Sequence, residues 1–237
     1  MSGGLGIKLF ADGADVASVL AAARDPRISG FTTNPTLMRK AGVADYRAFA
    51  RELLAAIPDR PISFEVTSDE LPEMTRQARL IASWGDNVYV KVPITNTEGL
   101  PCAEVIRELS HDGVKVNVTA VLPFEQVKTA CAALAGGAPS LVSVLAGRIA
   151  DTGRDPIPLM RAAAVLCRET SPDIELLWAS PREVLNVRQA AECGCHVITA
   201  TPELIKKLDS YDKPLEQLSL ETVQMFRRDA EAAGYEL

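Results

Sequence analysis

Lys91 stands in the run NVYVKVP, the one charged residue in an apolar segment rich in valine. Successive side chains of a strand point to opposite faces. Val88, Val90 and Val92 therefore share one face, and Tyr89 and Lys91 the other. With the valines packed against covering helices, the lysine faces the inside of the sheet. Burial disfavours the ammonium form of an amine, and a neutral amine attacks a carbonyl to form an imine. A lone lysine at a strand end would more simply snorkel to solvent. Its company argues for the first reading. Other short β-rich runs also end on polar residues: Asp12 in IKLFADG, Thr32 and Asn34 in ISGFTTNP, Ser63 and Glu65 in PISFEVT, Asn117 and Thr119 in VKVNVTA, Ser143 in SLVSVLAG, and Ser180 after IELLWA. Any one of these is explained by a cap or a turn, but seven strand ends in one phase form a ring. Within it, Asp12 and Glu65 are carboxyls able to carry the protons that imine formation requires.

Two arginines follow late strands, Arg148 in AGRIADTG and Arg182 in ASPRE. If those loops are neighbours, the guanidiniums can converge on one phosphate. A helix N-terminus favours acidic residues, so an arginine at Arg182 calls for a reason.

The elements that must position this ring alternate along the whole chain. β-rich runs begin near Ile7, Ile28, Pro61, Asn87, Val114, Ser140, Ile174 and Cys195, and helical periodicity fills the gaps, as in DYRAFARELLAAI and LPEMTRQARLIASWG. Asp15, Pro123 and Pro181 are expected to open helices, and Gly85, Gly113 and Gly194 to close them. Eight strands alternating with helices imply an α/β fold with a parallel sheet, closed as a (β/α)8 TIM barrel. An open doubly wound sheet would usually carry GxGxxG after a strand, and no strand here is followed by it. Residues 1–237 are expected to form one domain, with 217–237 as an extra C-terminal helix. That helix, around Met225 and Phe226, is free to pack on a neighbouring subunit or over the barrel mouth.

Composition narrows the classes. Hydrophobic residues make up 47% and charged residues 24%, enough for a large core. A net charge of −6 argues against nucleic-acid binding but not against a small anion. Cys102, Cys131, Cys167, Cys193 and Cys195 are odd in number, and MSGGLGIKLF does not read as a secretory leader, so a disulfide framework is not expected. Cys193-Gly194-Cys195 lacks a second cluster for zinc, and reads as a helix end entering a buried strand. His111 and His196 are far apart, so no metal site is expected. No apolar run is long enough to span a membrane, and a cytoplasmic protein is expected.

Taken together, FADGAD, GFTTNPTL, FEVT, VYVKVP, VNVTAV, SVLAGRIADTG, WASPR and ECGCHVITATPELI resemble, in order, the motifs of the transaldolase family, in its short branch that includes fructose-6-phosphate aldolase. The resemblance implies that Lys91 forms a Schiff base with a ketose phosphate such as fructose 6-phosphate or sedoheptulose 7-phosphate. It implies Asp12 as acid/base for the carbon–carbon bond, with Glu65 and Thr119 activating a water. Thr32, Asn34, Asn117 and Ser143 would hold substrate hydroxyls, and Arg148, Ser180 and Arg182 the phosphate. The reaction would move a dihydroxyacetone unit to an aldose phosphate, as in the pentose phosphate pathway, with no cofactor because the protonated imine is the electron sink. A homo-oligomer is also implied. Three positions depart from the pattern. Glu65 replaces the Gln of the aldolase branch, Leu145 an aromatic residue (Tyr in the aldolases, commonly Phe in transaldolases), and Gly13 a usual Thr. Glu65 and Leu145 disfavour the aldolase, while the smaller Leu145 leaves room for a specialised transaldolase that builds a longer sugar. A barrel that merely binds sugar phosphates would not need Lys91, Glu65 and Asp12 together.

Overall fold

The computed structural model describes residues 5–235. The first four residues of MSGGLGIKLF, and 236–237 of the expected C-terminal extension, lie outside the described residues. In chain order the elements are β1 (Lys8–Asp12), α1 (Val16–Ala22), β2 (Ile28–Thr32), α2 (Pro35–Lys40), α3 (Tyr46–Ala56), β3 (Ile62–Glu65), α4 (Leu71–Ala82), β4 (Val88–Pro93), α5 (Ala103–His111), β5 (Val116–Val121), α6 (Phe124–Leu134), β6 (Ser140–Val144), α7 (Ala146–Ala150), α8 (Ile157–Thr170), β7 (Ile174–Trp178), α9 (Leu185–Glu192), β8 (Val197–Ala200), α10 (Pro202–Lys207) and α11 (Leu215–Ala233). The strands pair in sequence order, all parallel, and β8 returns to β1, so the sheet closes as a TIM barrel. Every one of the eight β-rich runs is a strand of it.

Strand parity divides the apolar residues into two layers. Val88, Val90 and Val92 face outward into the main core between sheet and helices. The opposite phase fills the barrel itself, where Phe10, Leu141, Leu177 and Val197 pack together with Tyr89 against them. This inner plug occupies the lower and middle barrel and leaves the C-terminal end to the polar residues of the same phase. Gly30 makes room for the plug, since a methyl there would meet the Phe10 ring at 2.6 Å.

Local signals work where their chemistry is specific. Asp15 caps α1 by accepting from the Ser18 N–H at 2.8 Å. Gly113 and Gly194 follow the ends of α5 and α9 with φ of 87° and 78°, a conformation that favours glycine. Pro123 stands at the N-cap of α6. Gly85 lies beyond the cap of α4 at Ser83, outside the left-handed region. Pro181 opens no helix. Ser180 before it adopts φ 58°, and the Asn186 side chain holds the loop by accepting from the Arg182 and Glu183 N–H groups, so α9 starts only at Leu185. Two short helices, α2 and α7, were not expected. They have six and five residues, too few to display a periodicity.

The seat of α7 depends on Gly147. A Cβ there would lie 1.6 Å from the Ser180 carbonyl oxygen, so only glycine lets α7 touch the loop after β7. That contact brings the loops carrying Arg148 and Arg182 together. Cys193 caps α9 and Cys195 enters β8, and all five cysteines are free and buried. The α11 helix buries no residue against the barrel and exposes Leu215, Val223 and Phe226. Among the described residues no helix is long and apolar enough to cross a membrane.

Candidate active site

The polar ring encloses a cavity of about 540 Å³ at the C-terminal end of the barrel. Asp12, Thr32, Asn34, Glu65, Lys91, Asn117, Thr119, Ser143, Arg148, Ser180 and Arg182, each singled out from the sequence, all line it. Strand register explains much of this. Glu65 is the lateral partner of Lys91, and Lys91 of Asn117, so β3, β4 and β5 present three adjacent polar groups in one layer. Asp12 is likewise opposite Thr32 on β2.

Lys91 is the centre of the arrangement. Its side chain is only 9% exposed, its Nζ lies 2.7 Å from Glu65 Oε2, and it donates to the Thr33 carbonyl at 2.7 Å. A buried ammonium requires such partners, since desolvating an unpaired charge is costly. Glu65 is thereby the carboxylate in direct contact with the Lys91 amine.

Asp12 is held differently. Thr32 Oγ1 donates to its carboxylate at 2.8 Å, and Thr32 lies 2.6 Å from the Thr199 hydroxyl. Thr32 has one proton, so while it donates to the ionised Asp12 carboxylate it accepts from Thr199. Burial raises the Asp12 carboxyl above its ordinary range, outweighing the lowering effects of Lys91 and of the Thr32 hydrogen bond. A carboxyl that readily keeps a proton suits an acid/base role.

The next layer fixes orientation. Asn117 donates to Ser63 Oγ at 3.1 Å and accepts from Ser143 Oγ at 2.6 Å, so both ends of its amide are held. Thr119 is buried beside the cavity. Directly after it Ala120 adopts φ 61°, at an irregularity in the β5–β6 ladder between Val118 and Val121. A non-glycine residue held there costs about 1–3 kcal/mol, a cost typical of functional sites. Asn34 lies two residues beyond β2, where its Oδ1 caps α2 by accepting from the Leu37 N–H at 2.9 Å. Its amide is near enough to the Asp12 carboxylate to oppose slightly the rise in that group's proton affinity.

Arg182 is less free than the sequence implies. Its guanidinium grips the Asp151 carboxylate at the end of α7 through two nitrogens, at 2.9 and 2.5 Å. That pairing supplies the reason for an arginine ahead of α9. Any anion entering beside Arg182 would share its guanidinium with Asp151, while Arg148 lies one turn before Asp151 on α7.

Several groups escaped the sequence reading. Thr199 is in phase with Val197 inside the barrel, so the alternation in HVITAT could have revealed it. Lys40 lines the mouth from the end of the unexpected α2. The Thr33 carbonyl and the Asp151 carboxylate carry no signal in sequence, since their roles arise from where two loops end.

Comparisons with known proteins bear on the family and the fold. A family model described as Transaldolase/Fructose-6-phosphate aldolase matches residues 9–237. A relative from Hyphomonas neptunium named "Probable transaldolase" is 36% identical over 233 residues, covering 98% of this chain and 100% of its own. Another so named, from Dehalococcoides mccartyi, is 35% identical, covering 85% of this chain and 90% of its own. Among solved structures, KGPDC from Streptococcus mutans shares the fold with a TM-score of 0.57 at 10% identity, over 84% of this chain and 90% of its own. With a matching family model and relatives aligned over nearly its full length, the chain belongs to the transaldolase/fructose-6-phosphate aldolase family.

Proposed function

We propose that the protein is a transaldolase working through a Schiff base on Lys91. The observation that carries this reading is the Lys91–Glu65 pair at 2.7 Å, enclosed with Asp12 in one cavity. Glu65 takes a proton from Lys91, whose amine attacks the C2 carbonyl of a ketose phosphate. Proton return from Glu65, through a water held with Thr119, lets the carbinolamine expel water and become an iminium. Asp12 then removes the proton of the C4 hydroxyl, the C3–C4 bond breaks, and its electrons pass to the iminium, giving an enamine and a free aldose phosphate. An acceptor aldose phosphate reverses the step. The enamine carbon attacks its aldehyde, Asp12 returns the proton to the new hydroxyl, and hydrolysis frees Lys91. Asn117, fixed by Ser63 and Ser143, would orient hydroxyls of the triose unit, and Arg148, Ser180 and Arg182 would hold the phosphate.

Glu65 supports transfer over simple aldol cleavage, since a carboxylate relays protons where the aldolase Gln cannot. Leu145 supports a second reading, a specialised transaldolase with a longer acceptor. It lines the cavity and packs against the apolar plug, offering neither hydroxyl nor ring.

Incubation with fructose 6-phosphate and a panel of aldose phosphates should give three-carbon transfer in excess of free dihydroxyacetone, with the best acceptor identifying the pathway. Lys91→Ala should lower turnover by about 10³-fold or more while circular dichroism stays unchanged. Release of dihydroxyacetone without transfer, or activity surviving in Lys91→Ala, would sink the assignment.

Asp12→Asn separates catalysis from stability. Turnover should fall by about 10²–10⁴-fold. Because folding raises the Asp12 carboxyl, the wild type binds that proton more tightly when folded. Its stabilising contribution is therefore full below the ordinary carboxylate value and is lost as pH rises toward the raised one. Melting temperatures of Asp12→Asn relative to wild type should thus climb as pH rises above the ordinary carboxylate range. A difference that falls instead would contradict the burial argument.

A homo-oligomer built through α11 is part of the same proposal. Leu215, Leu218, Val223, Met225 and Phe226 fall on one side of a 19-residue helix that buries nothing in its own barrel. Sedimentation should give an assembly for the full chain and a smaller species once α11 is removed; a monomeric full chain refutes it.

A further inference from the structure

The end of β3 lacks the backbone partner that its position calls for. Along the β2–β3 ladder the Phe31 N–H donates to the Pro61 carbonyl and the Thr33 N–H to the Ser63 carbonyl. Continued one step, that alternation would send the Glu65 N–H to the Thr33 carbonyl, and the N–H of residue 35 to the Glu65 carbonyl. Neither bond is made. The Thr33 carbonyl instead accepts from Lys91 Nζ at 2.7 Å. Residue 35 is Pro35, which has no N–H to give.

Both orphaned groups of Glu65 go to one side chain. The Tyr46 hydroxyl accepts from the Glu65 N–H at 2.7 Å and donates to the Glu65 carbonyl at 2.9 Å. Tyr46 is the first residue of α3, with Asp45 as its cap, and its ring makes edge contacts with Phe64 and Trp84 at 6.3 and 5.8 Å. Burial raises the phenol further above neutrality, so the hydroxyl keeps the proton it donates.

We propose that Tyr46 is a positioning residue for the reaction, holding Glu65 against Lys91 and keeping the Thr33 carbonyl free for the Lys91 amine. It touches neither the cavity nor Lys91 and acts only through the β3 backbone. Without the hydroxyl, the Glu65 N–H has one replacement partner within the ladder, the Thr33 carbonyl. Taking it would pull Glu65 toward β2 and strip Lys91 of an acceptor. This role rests on the Schiff-base reading of Lys91 given above.

Tyr46→Phe tests it by removing one oxygen and keeping the ring contacts. The single-turnover rate of imine formation and kcat should fall about tenfold to a hundredfold, the range expected when a reacting group is slightly misplaced. KM for the ketose phosphate should stay within about twofold, because no substrate contact is lost. In a Glu65→Gln background the same substitution should cost far less, since the group it positions is already altered. An equal loss in both backgrounds, or no loss in the wild-type background, overturns the proposal. Hydrogen exchange of the wild-type Glu65 amide gives a check that does not depend on the variant folding. Protection is expected, and exchange at the rate of an open amide overturns the assignment. The two readings fail separately. A wild-type enzyme that forms no imine on Lys91 defeats the catalytic reading and Tyr46's role with it. A wild type that forms it while Tyr46→Phe forms it as fast defeats only the positioning.

Discussion

The ion pair between Lys91 and Glu65, 9% and 19% exposed and 2.7 Å apart, is the interaction around which the upper barrel is organised. Such a pair adds little stability, because removing two charges from water costs about what their attraction returns. Removing one partner of a fully buried pair, by contrast, typically costs about 3–5 kcal/mol. Stability must come from elsewhere, and here it comes from two apolar layers. One is the valine- and isoleucine-rich face under the helices, and the other is the plug of Phe10, Leu141, Leu177 and Val197 inside the strands. The plug fills the barrel below the charged pair, and Lys91 and Glu65 both line the cavity above it. A closed sheet suits this arrangement because it has no free edge, and each strand can deliver one side chain to a common centre.

Regularity gives way near the C-terminal ends of the strands. β2 ends at Thr32 and turns into a proline-led helix, which frees the Thr33 carbonyl for Lys91. Ala120 and Ser180 adopt positive φ just past Thr119 and β7. Gly147 lets α7 meet the Ser180 carbonyl, and the Asp151–Arg182 pair ties the two loops. Departures from local preference thus collect around the cavity, while the lower barrel departs from a regular ladder at Leu9–Phe10, where the β1–β2 register shifts.

The same contrast explains what could be read in advance. The eight strands were legible because period-2 alternation is a covalent property of extended chain, and so was the ring, since Asp12, Glu65, Lys91, Asn117 and Ser143 share its phase. Helices α2 and α7 were not legible, because one or two turns carry no periodicity. Pro181 misled because the conformation of Ser180 is set by the neighbouring α7 and not by the residues beside it. Arg182 was recognised, but its bond to Asp151 depends on two loops meeting in space. The Thr33 carbonyl and Tyr46 were invisible for a deeper reason. What defines them is a ladder bond that is not made, and a missing bond leaves no mark in composition or spacing.

The central claim is that Lys91, and no other lysine, carries the substrate as an imine. Incubation with fructose 6-phosphate, reduction with borohydride and peptide mass mapping test it most directly. The expected result is a single stable adduct on the peptide containing Lys91, dependent on both ketose and reductant. No adduct, or an adduct on a surface lysine while Lys91 remains unmodified, would contradict it.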